Sequence, residues 1–126
     1  MEKEIVLDST VMIVSETDEK GNILYANGDF CKICGYSKDE LIGKPHNIVR
    51  HPDMPRIAFK GLWEDIKIDK EWRGIVKNKA KDGSYYWVRA YVYSVSDEKG
   101  KRYISVRTKP TQKEIDEAQA LYKTLH

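Results

Sequence analysis

Hydrophobic positions change their rhythm three times along this chain. Residues 11–17, Val-Met-Ile-Val-Ser-Glu-Thr, read as a strand. Residues 18–22 form a turn around Gly21, and residues 23–26 return as a second strand. The pattern then becomes helical. Asn27 caps a short helix that carries Phe30 and Ile33 on one face and stops at Gly35. Ser37 and Glu40 make a capping box before Leu41 and Ile42, with a stop at Gly43. Pro45 restarts the chain, and His51, standing before Pro52, is biased out of helix. Asp53 and Pro55 open a longer helix, Asp53 as its cap. Phe59, Leu62, Trp63 and Ile66 share one face of that helix, which Asp69 and Lys70 end.

Alternation resumes at Trp72. In the strand 72–79, Trp72, Gly74, Val76 and Asn78 share one face. Asp82-Gly83 marks a hairpin into a long strand, 85–95. One face of that strand carries Tyr86, Val88, Ala90, Val92 and Ser94; the other carries Tyr85, Trp87, Arg89, Tyr91, Tyr93 and Val95. Residues 96–101 read as a turn and 103–108 as the last strand. A second capping box, Thr111 to Glu114, begins a final helix whose apolar seam is Ile115, Ala118, Tyr122 and Leu125. That seam suits either a helix folded back on its own sheet or one that serves output or dimerisation. Two strands, several short helices and three strands make an α+β domain, one antiparallel sheet with helices on one face.

Composition narrows the function classes. With 126 residues the chain suits one domain with its own core. Lys+Arg is 22 and Asp+Glu is 20, a formal charge of only +2 with the signs interspersed, so nucleic acid is not an expected partner. No apolar run reaches membrane-span length, and the start lacks a secretory leader, so a cytoplasmic domain without direct membrane insertion is expected. Cys31 and Cys34 have CxxC spacing but no further zinc ligands beside them, and they read as two small side chains one helical turn apart. No nucleophile–base pair, P-loop or paired carboxylate set stands at a telling spacing, so no catalytic residue is assigned.

The run Pro45-His46-Asn47-Ile48-Val49-Arg50-His51-Pro52-Asp53-Met54-Pro55 carries a narrower signal. With Ala58-Phe59, Trp63, residues 72–78, 86–90 and 105–108, it resembles the PAS sensor domain of bacterial aerotaxis (energy-taxis) receptors. The resemblance implies a PAS fold with a five-stranded antiparallel sheet. It implies noncovalently bound FAD whose redox state is reported to a chemotaxis signalling domain. Carried over by motif, the flavin-binding positions are Asn27, Arg50, His51, Asp53, Phe59, Trp63, Trp72 and Asn78. It also implies a sensor over 1–110 and an output or dimerisation helix over 111–126, a chemotaxis transducer as partner in the same or a separate chain, and a homodimer. These residues hold neither a methyl-accepting module nor an anchor, so either an excised domain or a separate transducer is expected.

The residues themselves suit a flavin. Gly74 and Ala90 leave space on an inward sheet face, and Asn78 can donate and accept toward an amide-like ring edge. Asn78 could equally bond nearby backbone. Trp63 reads as core packing or as a stacking wall. Arg50 reads as a cation for the diphosphate or as a partner of Asp53. A light-sensing flavin domain of the LOV type is not expected, since residues 46–51 lack its reactive cysteine. A haem sensor ligated by His46 or His51 is one alternative, and a cofactor-free dimerisation module is another.

Overall fold

The computed structural model describes residues 2–125. Five strands form one antiparallel sheet in the order β2-β1-β5-β4-β3. They are β1 (Ile13–Thr17), β2 (Ile23–Ala26), β3 (Trp72–Lys79), β4 (Tyr85–Asp97) and β5 (Gly100–Thr108). Between β2 and β3 lie α1 (Gly28–Cys34), α2 (Lys38–Leu41), a 3-10 turn over His46–Val49, and α3 (Arg56–Lys67). The last element, α4 (Gln112–Lys123), returns to the β3 side of the sheet.

The local signals account for most boundaries. Asn27 caps α1, its side chain accepting from the Phe30 N–H, and both capping boxes form as their sequences require. The sheet register follows the alternation: Trp72 faces Val92, Gly74 faces Ala90, Val76 faces Val88 and Asn78 faces Tyr86. These inward residues, with Ile13, Ile23, Phe30, Leu41 and Val49, make the core. Leu62 and Ile66 close it from α3, against Val92 and Tyr103.

Four expectations need correction. The first strand begins at Ile13 and carries an irregularity between Glu16 and Thr17. The turn expected over 96–101 is mostly strand, because pairing continues to Asp97 opposite Gly100 and leaves only two residues between. Asp53 does not cap α3. That helix starts at Arg56 behind Pro55 with no side-chain cap, because the Asp53 carboxylate is drawn to Lys77 Nζ at 2.8 Å. Lys77 is a buried cation, and a nearby anion is worth more to it than to a solvated helix end. Finally, the space above Gly74 is filled by a neighbour: a Cβ there would lie 2.5 Å from the Trp72 indole.

The outer face and the β3 edge are covered by the chain's two ends. Where β5 stops short of Tyr85, residues 3–5 pair with it instead (Ile5 N–H to Tyr85 O at 2.7 Å; Tyr85 N–H to Lys3 O at 2.9 Å). Trp87 is buried on the same face, near Lys77 and Tyr122. Tyr91 and Tyr93 stay half-buried and stack on each other. On the β3 edge the Tyr122 hydroxyl donates to Ile75 O, the Lys77 N–H meets Met54 Sδ and the His51 N–H reaches Lys77 O. The final helix therefore folds back onto its own sheet, one of the two placements its seam allowed. Arg89 on the outer face pairs with Glu114 at the start of α4.

That pair gives a pH signature. The Arg89 hydrogen bond, helped by the Thr111 backbone N–H, pulls the Glu114 carboxyl from its usual 4.5 down to about 2. A depressed carboxylate stabilises the fold above its unfolded value and loses that contribution as pH falls through the folded one. Protection of the α4 amides, taken relative to their intrinsic exchange rate at each pH, should therefore fall between about pH 4.5 and about pH 2. Glu114→Gln should raise exchange at neutral pH and flatten this dependence; an unchanged profile would rule the pair out as the anchor.

Gly21 gives a second test. It sits at φ +86°, and an added Cβ would meet the Trp63 ring at 3.0 Å. Gly21→Ala should cost about 1–3 kcal/mol from backbone strain alone, read as a lower urea midpoint at constant slope.

Candidate functional site

Beneath α3 lies a cavity of about 280 Å³ between that helix and the inner face of β5 and β3. Four of the residues expected from the sequence meet in its wall: Arg50, Phe59, Trp63 and Asn78. All four apolar positions of α3 face it. Trp63 is pinned between Gly21 and the edge of the Tyr103 ring, whose centroid is 5.6 Å away. Its indole thus has a fixed plane, which suits a flat ligand better than a mobile side chain would.

The other four expected residues are not in this wall. Asn27 is spent on structure: its Oδ1 accepts from the Val14 and Phe30 N–H groups and its amide donates to Met12 O. Trp72 lies over Gly74. His51 is 2% exposed and turned toward the N-terminal segment. Its Nδ1 accepts from the Asp53 N–H at 3.0 Å and its Nε2 meets the Glu2 carboxylate. Asp53 joins the same group through Lys77. His51 and Asp53 follow directly after Arg50, which bridges to Asn78.

The sequence reading did not pick out the most unusual residue of the wall. Arg107 projects from β5 into the same cavity and is 7% exposed. It crosses the sheet, Nε donating to Ser105 Oγ at 3.0 Å and Nη1 to Asn78 Oδ1 at 3.2 Å. Directly opposite it in the pairing stands Ala90, whose small side chain leaves room for the arm. Arg107 makes no ion pair among the described residues. Burial alone pulls its guanidinium down to about 10. The signal was available: Tyr103, Ser105 and Arg107 alternate in phase, and a strand whose Tyr103 points inward must also point Arg107 inward.

His46 completes the polar floor. Its Nε2 shares a hydrogen with Ser15 Oγ at 3.0 Å and its ring leans on Phe30. Burial, then the nearby Arg107 charge, drives it down to about 3, so it is neutral at any physiological pH. The Tyr86 hydroxyl beside the Asn78 amide is likewise held protonated, mainly by burial. Arg50 lies with its guanidinium 3.8 Å above the Phe59 ring, and its Nε is buried without a hydrogen-bond partner. Exposed Lys20 stands at the cavity mouth.

The cavity is thus rich in donors and poor in acceptors. Arg107, Arg50 and Asn78 offer N–H groups, while the acceptors nearest them, Asn78 Oδ1 and Ser105 Oγ, are already taken by Arg107. A flat heteroaromatic ligand with an acceptor edge and a phosphate tail would satisfy these groups. The histidines suit a haem iron less well: His46 Nε2 is engaged with Ser15, and both His51 nitrogens are engaged outside the cavity. The cysteines lie elsewhere, on α1, as two free thiols. Cys34 is buried, which pushes its thiol up and away from reactivity.

Comparison with known proteins agrees with this architecture. The chain is 47% identical over 120 residues to the aerotaxis receptor of Escherichia coli (strain K12), covering 94% of this chain and 23% of that protein. It is 30% identical over 95 residues to a nitrogen fixation regulatory protein of Klebsiella pneumoniae, covering 75% of this chain and 19% of that one. The chain therefore spans less than a quarter of the length of these relatives. Among solved structures, the dark state of the blue-light photoreceptor Aureochrome1 LOV shares the fold, with a TM-score of 0.75 and 21% identity, covering 90% of this chain and 86% of that one. No helix among the described residues is long and apolar enough to cross a membrane. The PAS fold family matches residues 23–108, the whole span from β2 to the end of β5, and the chain is a member of the PAS family.

Proposed function

We propose that this PAS domain binds FAD and senses redox state on behalf of a chemotaxis signalling pathway. The observation that carries the reading is a cavity with one aromatic wall that holds the buried Arg107 guanidinium, with no carboxylate partner among the described residues, and the unpartnered Nε of Arg50. The 47% identity to an aerotaxis receptor supports the same reading. FAD bound here would supply a reversible electron acceptor whose charge changes with its redox state.

The chain's own residues have distinct roles in this proposal. Trp63 and Phe59 orient the ring and keep water from it. Arg107 and the Asn78 amide hold an acceptor edge of the ring. Arg50 and Lys20 serve the diphosphate at the mouth, where cations count most. Asn78 also links inside to outside. It lies on β3 next to Lys77, whose backbone and ammonium hold the His51–Asp53 segment, and three residues beyond Ile75, whose carbonyl takes the Tyr122 hydroxyl. A change in hydrogen bonding at Asn78 would tilt β3 and alter how α4 docks. We assign α4 as the output element toward a transducer, in a dimeric sensor.

The absorbance spectrum of purified protein, with identification of any released chromophore, tests the assignment. Two broad near-ultraviolet and blue bands with FAD released on denaturation are expected. A sharp Soret band, or a colourless protein that takes up no added FAD, would overturn it. Trp63→Ala should weaken FAD binding about tenfold, the equivalent of about 1.4 kcal/mol of lost stacking, measured by titration.

In wild-type protein, proteolysis within α4 should differ between the oxidised and reduced forms. Asn78→Ala, loaded with FAD, should abolish that difference; persistence of the full difference would remove Asn78 from the signalling path.

A further inference from the structure

We propose that Arg107 is the specificity-determining residue of the cavity, making it bind the reduced, negatively charged form of the flavin more tightly than the neutral oxidised form. The inference deepens the flavin reading and rests on it. Its own support is geometric. A guanidinium that is nine-tenths buried has lost most of its water, and no carboxylate pairs with it among the described residues. Its two hydrogen bonds go to neutral oxygens, of Ser105 and Asn78. Such a charge is costly to hold away from water and is relieved by an anionic partner.

Among the described residues, the groups beside Arg107 on the cavity floor carry no charge of their own. The two uncharged groups closest in role, His46 and the Tyr86 hydroxyl, stay neutral: His46 is tied to Ser15, and Tyr86 is held protonated by burial beside Asn78. Of the wall's other cations, Arg50 is stacked on Phe59 and Lys20 stands exposed at the mouth. Arg107 therefore concentrates positive charge at the cavity floor, and a ring that gains one negative charge there gains a charge-assisted bond that its neutral form lacks. The charge arises in a balanced way. Two electrons from an external reductant and one proton from solvent would add to the neutral oxidised ring and leave it at −1, with no further proton taken.

The difference in affinity between the two forms is a difference in midpoint potential. For a two-electron couple a tenfold change in that ratio is about 30 mV. Removing the Arg107 charge should weaken the reduced form selectively and move the midpoint negative.

The test uses the full chain as wild type, Arg107→Met and Arg107→Lys, each titrated with FAD and then reduced with dithionite against a reference dye. Arg107→Met should weaken binding of the reduced form about tenfold more than binding of the oxidised form, and show a midpoint about 30 mV lower. Arg107→Lys should recover most of that shift. Apo Arg107→Met should melt no lower than apo wild type, since it removes a buried unpaired charge. Should Arg107→Met fail to fold, Arg107→Gln, which keeps a donor toward Asn78, carries the same comparison. An unchanged midpoint in FAD-loaded Arg107→Met or Arg107→Gln would overturn the role of Arg107 and leave the flavin assignment standing. A wild-type chain that takes up no FAD would overturn both.

Discussion

A guanidinium buried against a β-sheet needs a surrounding shaped to tolerate it, and much of this domain is arranged around Arg107. The arm must cross β4 to reach Asn78, so a small residue, Ala90, stands opposite it. Its head must be solvated by the protein, so Ser105 and Asn78 turn their oxygens toward it. Burial and the Arg107 charge together keep the neighbouring His46 neutral. The interior is therefore divided. An apolar half lies under α1 and α2, around Phe30 and Leu41, and a polar half lies under α3. The cavity belongs to the polar half because close-packed apolar side chains would strand the cation.

The fold was legible because its signals are local. Capping boxes, turn residues and strict alternation each depend on a few neighbouring residues, and they placed α1, α2, α4 and the sheet faces. Where the reading slipped, a distant partner had intervened. Asp53 looks like a helix cap until Lys77, 24 residues later, claims its carboxylate. Gly74 looks like vacant space until the indole of Trp72 lies across it. The candidate site was legible in part for the same reason. Arg50, Phe59, Trp63 and Asn78 converge, whereas Asn27 is committed to capping and His51 to a buried contact with Glu2. Arg107 escaped notice because arginine on a strand is ordinarily read as a surface residue; only its phase with Tyr103 and Ser105 shows that it points inward.

Inside and outside are joined at β3, where neighbouring residues on one strand serve opposite faces. Asn78 touches the cavity network, while Lys77 carries the outer packing of Tyr85 and the pairing with Asp53. Such a strand cannot shift on one face without moving the other, since its pleat ties the two sets of side chains together. The His51–Asp53 segment and α4 both rest on that strand. A cavity event and a surface rearrangement are thus two ends of one short lever.

The cover over the Ile75–Lys77 edge also limits how the domain can associate. A bare sheet margin invites another chain to add a strand in register, with little regard for sequence. Here the Tyr122 hydroxyl, Met54 sulfur and His51 amide already occupy the groups that such a strand would need. Growth at this margin by backbone pairing is closed while α4 stays docked. Contact with other chains on this side must go through side chains, which carry information about the partner, and detachment of α4 would itself uncover a new adhesive edge.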